Sequence, residues 1–152
     1  MKVGLISDTH GLLRPQALEA LAGTDFILHA GDVGAEGVLE ALARLAPVRA
    51  VRGNVDRGGW AARLPETEFV EAGGTLIYLL HDLNALDLEP AAAGVGVVLS
   101  GHSHQPAVFE RAGVLYVNPG SAGPRRFRLP VSVGWLHLGE GGPRAEIVEL
   151  EV

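Results

Sequence analysis

Five short apolar segments of this chain break off in the same way, and no other feature constrains the fold as much. Leu5-Ile6-Ser7 runs into Asp8-Thr9-His10, Ile27-Leu28-His29-Ala30 into Gly31-Asp32, and Val48–Arg52 into Gly53-Asn54-Val55-Asp56. Ile77–Leu80 ends at His81, and Val97–Ser100 at Gly101-His102-Ser103-His104. Apolar runs of this length, bounded by turn residues, read as buried strands. Helical patterns separate the first three. Pro15 suits a first helical position, with Leu18 and Leu21 on one face and Gly23 as the stop. Ala35–Leu45 spaces Val38, Leu42 and Leu45 at helical intervals before Pro47. This βαβαβ order implies parallel strands with crossover helices. In such sheets, groups just past the carboxyl ends of strands are where ligands gather. Gly31, Gly53 and Gly101 each precede a polar residue, and glycine permits the tight turn or positive φ that aims the next side chain back.

The second half changes character. Thr67–Ala72 and Thr75–Leu80 flank Gly73-Gly74, Val108–Arg111 and Val114–Val117 flank Ala112-Gly113, and Val131–Leu138 and Ala145–Val152 flank Gly139–Pro143. These are three hairpins. Asn84–Ala93 reads as a short helix. A parallel half thus meets an antiparallel half, and 152 residues suit one domain spanning 1–152.

Composition excludes several classes of function. With 47% hydrophobic residues the chain can fill a core, while a net charge of -6 opposes non-specific nucleic-acid binding, which needs a basic face. Bound divalent metals would still add positive charge locally. The absence of cysteine rules out disulfides and thiolate chemistry. No apolar run approaches the roughly 20 residues of a membrane span, and the N-terminus lacks the pattern of a signal peptide. The expectation is a cytoplasmic protein that binds no membrane and forms no stable nucleic-acid complex.

The polar residues after the strands have the chemistry of metal ligands. Carboxylate and imidazole suit Mn, Fe, Zn, Co or Ni, a carboxylate can bridge two ions, and asparagine can add a carbonyl oxygen. Four of the six histidines, His10, His81, His102 and His104, fall in these positions. Asp-x-His and Gly-Asp are weak signals alone. Gly-Asn-x-Asp and Gly-His-x-His would each arise by chance in roughly one chain of this size in fifty to two hundred. His29 lies within a strand and reads as a satisfied core histidine, His137 as a surface residue, and Trp60 and Trp135 as packing residues.

The ordered set Asp8-x-His10, Gly31-Asp32, Gly53-Asn54, His81 and Gly101-His102-Ser103-His104 resembles the calcineurin-like metallophosphatase superfamily. Asn118-Pro119-Gly120-Ser121 followed by Pro124-Arg125 is similar to its YfcE-type phosphodiesterases. The resemblance implies an α/β (α+β) fold, a four-layer α-β-β-α sandwich of two mixed sheets flanked by helices. It implies two divalent ions, Asp8, His10, Asp32 and His104 holding one, and Asp32, Asn54, His81 and His102 the other, with Asp32 bridging. A water activated between ions about 3.5–4 Å apart would attack phosphorus in line. Asp8, Asp32, Asn54, Asp56 and His81 would be catalytic, and Asn118, Arg125 and Arg126 would contact substrate, arginine's fork suiting phosphate. The implied substrate is a small phosphodiester or nucleotide. Two departures stand out: Val55 replaces a proton-donating histidine found in many phosphomonoesterases, and His81-Asp82-Leu83 replaces the usual His-Gly-His. Asp56 and His29 are the remaining candidate proton donors. Two alternatives stay open, a phosphomonoesterase on the same site and a non-catalytic metal-binding scaffold for protein interactions.

Overall fold

The computed structural model describes residues 1–152. Ten strands form two five-stranded sheets. The first has the order β10-β9-β1-β2-β3, built from Lys2–Ile6 (β1), Phe26–His29 (β2), Val48–Ala50 (β3), Ser132–His137 (β9) and Arg144–Glu149 (β10). The second has the order β4-β5-β6-β8-β7, from Thr67–Ala72 (β4), Thr75–Leu80 (β5), Val97–Leu99 (β6), Ala107–Arg111 (β7) and Val114–Asn118 (β8). Helices Pro15–Leu21 (α1) and Glu36–Ala43 (α2) connect β1 to β2 and β2 to β3.

The expected division into a parallel and an antiparallel half is not what the chain builds. Both sheets are mixed. β1, β2 and β3 are parallel, with the C-terminal hairpin β9–β10 returning to pair antiparallel with β1. In the second sheet β5, β6 and β8 are parallel, and the hairpin partners β4 and β7 form its two edges. Each sheet therefore has parallel strands whose carboxyl ends can carry a site.

Alternation along the strands sorts the core into three layers. Val3 and Leu5 of β1, Leu28 of β2, Ile77 and Leu79 of β5 and Leu99 of β6 meet between the sheets. On the outer face of the first sheet, Ile6 and Ile27 pack against Ala17 and Leu21 of α1 and Val38 and Leu42 of α2. Tyr78, Leu80, Val98 and Tyr116 line the outer face of the second sheet. Leu83, Leu86 and Leu88 cover them, from a segment expected to be a helix over Asn84–Ala93. It forms only a 3-10 turn, Leu83–Ala85, which the Asp82 side chain caps at its start and which ends where Leu86 is already extended (φ -62°, ψ 119°). The fourth layer is thus thin. Helix α2 also stops at Ala43, so Leu45 lies outside it and stays partly exposed.

Candidate metal centre

The loops that leave β1, β2, β5 and β6 interlock before they carry any chemistry. Asp8 and His10 donate their backbone N–H to the carbonyls of Gly31 and Asp32, at 3.0 and 2.9 Å, so the first loop runs beside the second. Gly101 donates to the His81 carbonyl at 2.9 Å, joining the third and fourth. The loop after β8 closes the set: Ala122 donates to the Ser7 carbonyl, and the Ser121 hydroxyl to the Asp8 carbonyl, both at 3.0 Å.

Seven non-glycine residues have positive φ, and five are Asp8, His10, Asp32, His102 and His104, at 48–70°. This left-handed backbone costs an ordinary residue about 1–2 kcal/mol. Its concentration in one place turns each side chain back over the strand ends, and such strain characteristically gathers at functional sites. Of the three glycines expected to supply positive φ, Gly31 does so (φ +102°). Gly53 and Gly101 serve instead by having no side chain. A Cβ on Gly101 would strike the Ser7 hydroxyl and the Asp8 carboxylate, and one on Gly53 the Asp32 backbone.

Two groups of ligand-competent side chains result. Asp8, His10 and His104 converge, as do Asp32, His81 and His102, the donor atoms of each group lying within 4.8 Å of one another. The groups abut. Oδ2 of Asp32 is 3.2 Å from Nε2 of His81 and 3.5 Å from Nε2 of His10. Oδ1 of Asp8 is 3.3, 3.8 and 3.9 Å from Nε2 of His104, His10 and His81. Asn54 is exposed and lines a recess of about 350 Å³ with Arg52, His81 and Asp82. Arg125 and Arg126 line another, of about 240 Å³, beside His10 and His104.

The atoms turned away from the centre are held by the fold. Asp8 Oδ2 accepts from the Ser7 hydroxyl at 2.6 Å and the His102 amide at 3.1 Å, and Asp32 Oδ1 from the Val55 amide at 3.0 Å. His81 Nδ1 lies 2.8 Å from the Ala30 carbonyl, which can only accept, so this nitrogen carries the proton and Nε2 is left for ligation. Three buried polar atoms have no hydrogen-bond partner: Asp8 Oδ1, His10 Nε2 and His104 Nδ1. The first two face the space between the groups, and a cation there would satisfy what the protein leaves unpaired.

Electrostatics follow from this packing. Burial raises the Asp8 carboxyl above its ordinary range, against the opposing pull of Ser7, His81 and His104. Burial also works on Asp32, but hydrogen bonds from His81 and the Val55 amide, with the His81 and His10 charges, outweigh it and hold the group at about 2. His81 is raised. Burial alone would lower it, and its bonds to Asp32 and Ala30 reverse the sign. His104 is lowered, first by burial.

Three residues weighed for the chemistry are held by hydrogen bonds within the fold. Asp56, grouped with the catalytic residues, is buried and accepts from the amides of Val33, Gly34 and Gly53 at 3.2, 2.9 and 2.9 Å, so it ties two loops together. Asn118, expected to contact substrate, donates to the Gly101 carbonyl and the Ser103 hydroxyl and accepts from Gly120, bracing the His102–His104 loop. His29 is fully buried, as its reading as a satisfied core histidine expects. Gly31 N–H donates to its Nδ1, so Nε2 carries the proton and donates to the Thr9 hydroxyl, which donates to the Val33 carbonyl. One residue was missed, Asp82. Its carboxylate lies 3.8 Å from His102 Nε2, and the residue lines both the recess that His81 lines and the one that His102 lines. Its adjacency to His81 was the available signal.

Comparison with known proteins agrees with the site. Residues 1–141 match the calcineurin-like phosphoesterase superfamily domain. A probable metallophosphoesterase of Methanothermobacter thermautotrophicus is 35% identical over 133 residues, 80% of this chain and 77% of that protein. Among solved structures, the phosphoesterase YfcE of E. coli is 26% identical with a TM-score of 0.70, covering 90% of this chain and 88% of that one. Zinc-complexed Vps29 of Entamoeba histolytica is 26% identical with a TM-score of 0.76, covering 99% and 100%.

Proposed function

The chain belongs to the calcineurin-like phosphoesterase superfamily, and from that premise we propose that it is a divalent-metal-dependent phosphodiesterase. The observation that carries this reading is the abutment of two donor groups through Asp32, whose one carboxylate oxygen faces a histidine of each. Asp8, His10 and His104 would hold one ion, and His81, His102 and Asn54 the second, with Asp32 between them. Mn, Fe, Zn, Co and Ni all suit these ligands. Bound there, such ions supply charge neutralisation at phosphorus and a water acidic enough to give a nucleophile at neutral pH.

The chain's own groups do the rest. Ser7, the His102 amide and the Val55 amide fix the two carboxylates. The Ala30 carbonyl sets the His81 tautomer. Arg125 and Arg126 flank the recess beside His10 and His104, where a phosphate oxygen could be received. None of the donors considered from the sequence is free to protonate the departing oxygen. Val55 cannot, and Asp56 and His29 are committed to loop amides and to Thr9. General acid help is typically worth about 10²–10⁴-fold, so its absence favours good leaving groups.

The test is a metal-by-substrate panel with aryl and alkyl diesters beside aryl monoesters. Aryl diesters should be cleaved fastest, with a steep dependence on leaving-group pKa. Faster turnover of p-nitrophenyl phosphate than of its diester would make the protein a monoesterase. A second reading, a metal-binding scaffold for protein interactions, draws on the likeness to Vps29. It would take over if the protein bound both ions and hydrolysed none of the panel.

A further inference from the structure

The loop after Ala122 presents an arrangement that the metal centre does not require. Its base is fixed. Gly123 packs on the Thr9 backbone so closely that a Cβ would collide there, and its carbonyl accepts from Nε and Nη2 of Arg14, both at 3.2 Å. Its tip is Pro124-Arg125-Arg126-Phe127-Arg128, every residue exposed. Phe127 is 90% exposed, against 55% for the next most exposed large hydrophobic residue, Met1. It also holds a left-handed backbone at φ +55°. A phenylalanine in that conformation, packed on nothing, gains no stability from its place in the fold. The three arginines beside it make no ion pair within the chain, in a protein whose net charge is -6. Arg125 and Arg126 line the recess of about 240 Å³ that opens on His10 and His104.

Resting on the phosphodiesterase reading, we propose that this tip is a nucleotide clamp. Phe127 stacks on a nucleobase while Arg125 and Arg126 hold a phosphate next to the one at the metal centre. The substrate class is then a nucleotide phosphodiester that carries a second phosphate. An aromatic face accepts any base, and guanidinium forks match phosphate oxygens, so the pairing recognises a nucleotide without reading its sequence. An overall acidic chain can do this because the contact is one base and one phosphate long.

The test is calorimetric binding of a hydrolysis-resistant phosphorothioate dinucleotide, with and without a terminal phosphate, to the manganese-loaded protein. Phe127→Ala should weaken binding about tenfold or more. Phe127→Tyr should restore it, and Phe127→Leu should not, because leucine keeps the apolar surface without the ring. Removing the terminal phosphate should weaken binding to wild type and leave Arg125→Ala/Arg126→Ala indifferent. Hydrolysis of bis(p-nitrophenyl) phosphate, which carries no second phosphate, is measured alongside on wild type to report the activity itself. Absent hydrolysis of that diester with ring-dependent dinucleotide binding would sink the activity and leave the clamp. Equal binding by wild type, Phe127→Ala and Phe127→Leu would overturn the clamp, as would retention by leucine, which would assign the tip to an apolar partner.

Discussion

Asp32 offers one oxygen to a backbone amide and the other to both histidine groups, so its replacement should be felt on both sides of the centre. Asp32→Asn is expected to hold fewer ions per chain than wild type, for which the proposed centre predicts two, and to lose activity by at least about 10²-fold. Metal analysis after exhaustive loading decides, and a wild type that never exceeds one ion defeats the two-metal reading. Asp56 makes the opposite prediction. Asp56→Ala leaves three loop amides without an acceptor and should cost about 2–4 kcal/mol of stability, measured by urea unfolding. The slope of rate against leaving-group pKa should not change; a steeper slope in the variant would restore Asp56 as a proton donor. The same residue marks how far the sequence could be read. The metal-ligand candidates were legible because they follow strands in a fixed order. The bonds of Asp56 and Asn118 were not legible, because a polar residue next to a ligand motif looks like a ligand, and only the tertiary course of the loops decides where its oxygens find donors.

At the level of elements, local signals carried well and non-local ones did not. Gly73-Gly74, Ala112-Gly113 and the glycines of Gly139–Gly142 mark the three hairpins that form. Pro15 opens α1 as its position suggests. The parallel pairing of β6 with β8 and the return of β9 to β1 have no local signature, since the strands that hydrogen-bond there are not neighbours in sequence. The helix expected near Asn84 failed for a related reason. Leu83, Leu86 and Leu88 reach the second sheet from a single 3-10 turn and the irregular stretch after it, so apolar spacing there reports a surface to cover and not an α-helical period. The layered core makes a contrast within one hairpin. Leu79 of β5 is fully buried between the sheets, while Phe69 of edge strand β4 is 47% exposed and touches Tyr78 at 4.7 Å between ring centroids. Leu79→Ala should cost about 2–5 kcal/mol and Phe69→Ala about 1 kcal/mol, read from urea midpoints. Equal losses would mean that the sheets do not pack as described.

The whole molecule should be sensitive to acid through a residue that never meets substrate. Burial, with the neighbouring His81 charge, holds the His29 imidazole near a pKa of about 3, while an unfolded histidine titrates near 6.5. Below pH about 6.5 the unfolded chain takes up a proton that the folded chain refuses. Stability is therefore full above that pH and declines toward about pH 3, by a few kcal/mol. Urea midpoints of the chelator-treated protein against pH should show this, and His29→Gln should flatten the decline; an unchanged slope in the variant would place the proton uptake elsewhere. Metal should act in the opposite sense. Ions that bind only the folded chain, at 100 times their dissociation constant, add about 2.7 kcal/mol. The melting temperature should rise with free manganese in wild type and much less in Asp32→Asn; a parallel rise in both would detach the stabilisation from this centre. The interlocked loops give that linkage a further meaning. The His102 amide meets the Asp8 carboxylate across 94 residues of sequence, so ions seated there would tie distant stretches of chain together as a disulfide does, restricting the unfolded ensemble most where the enclosed loop is long. Because the chain has no cysteine, this tie ignores reductants and opens to chelators. Its lifetime against proteases would then be governed by the supply of divalent metal and not by the redox state of its surroundings.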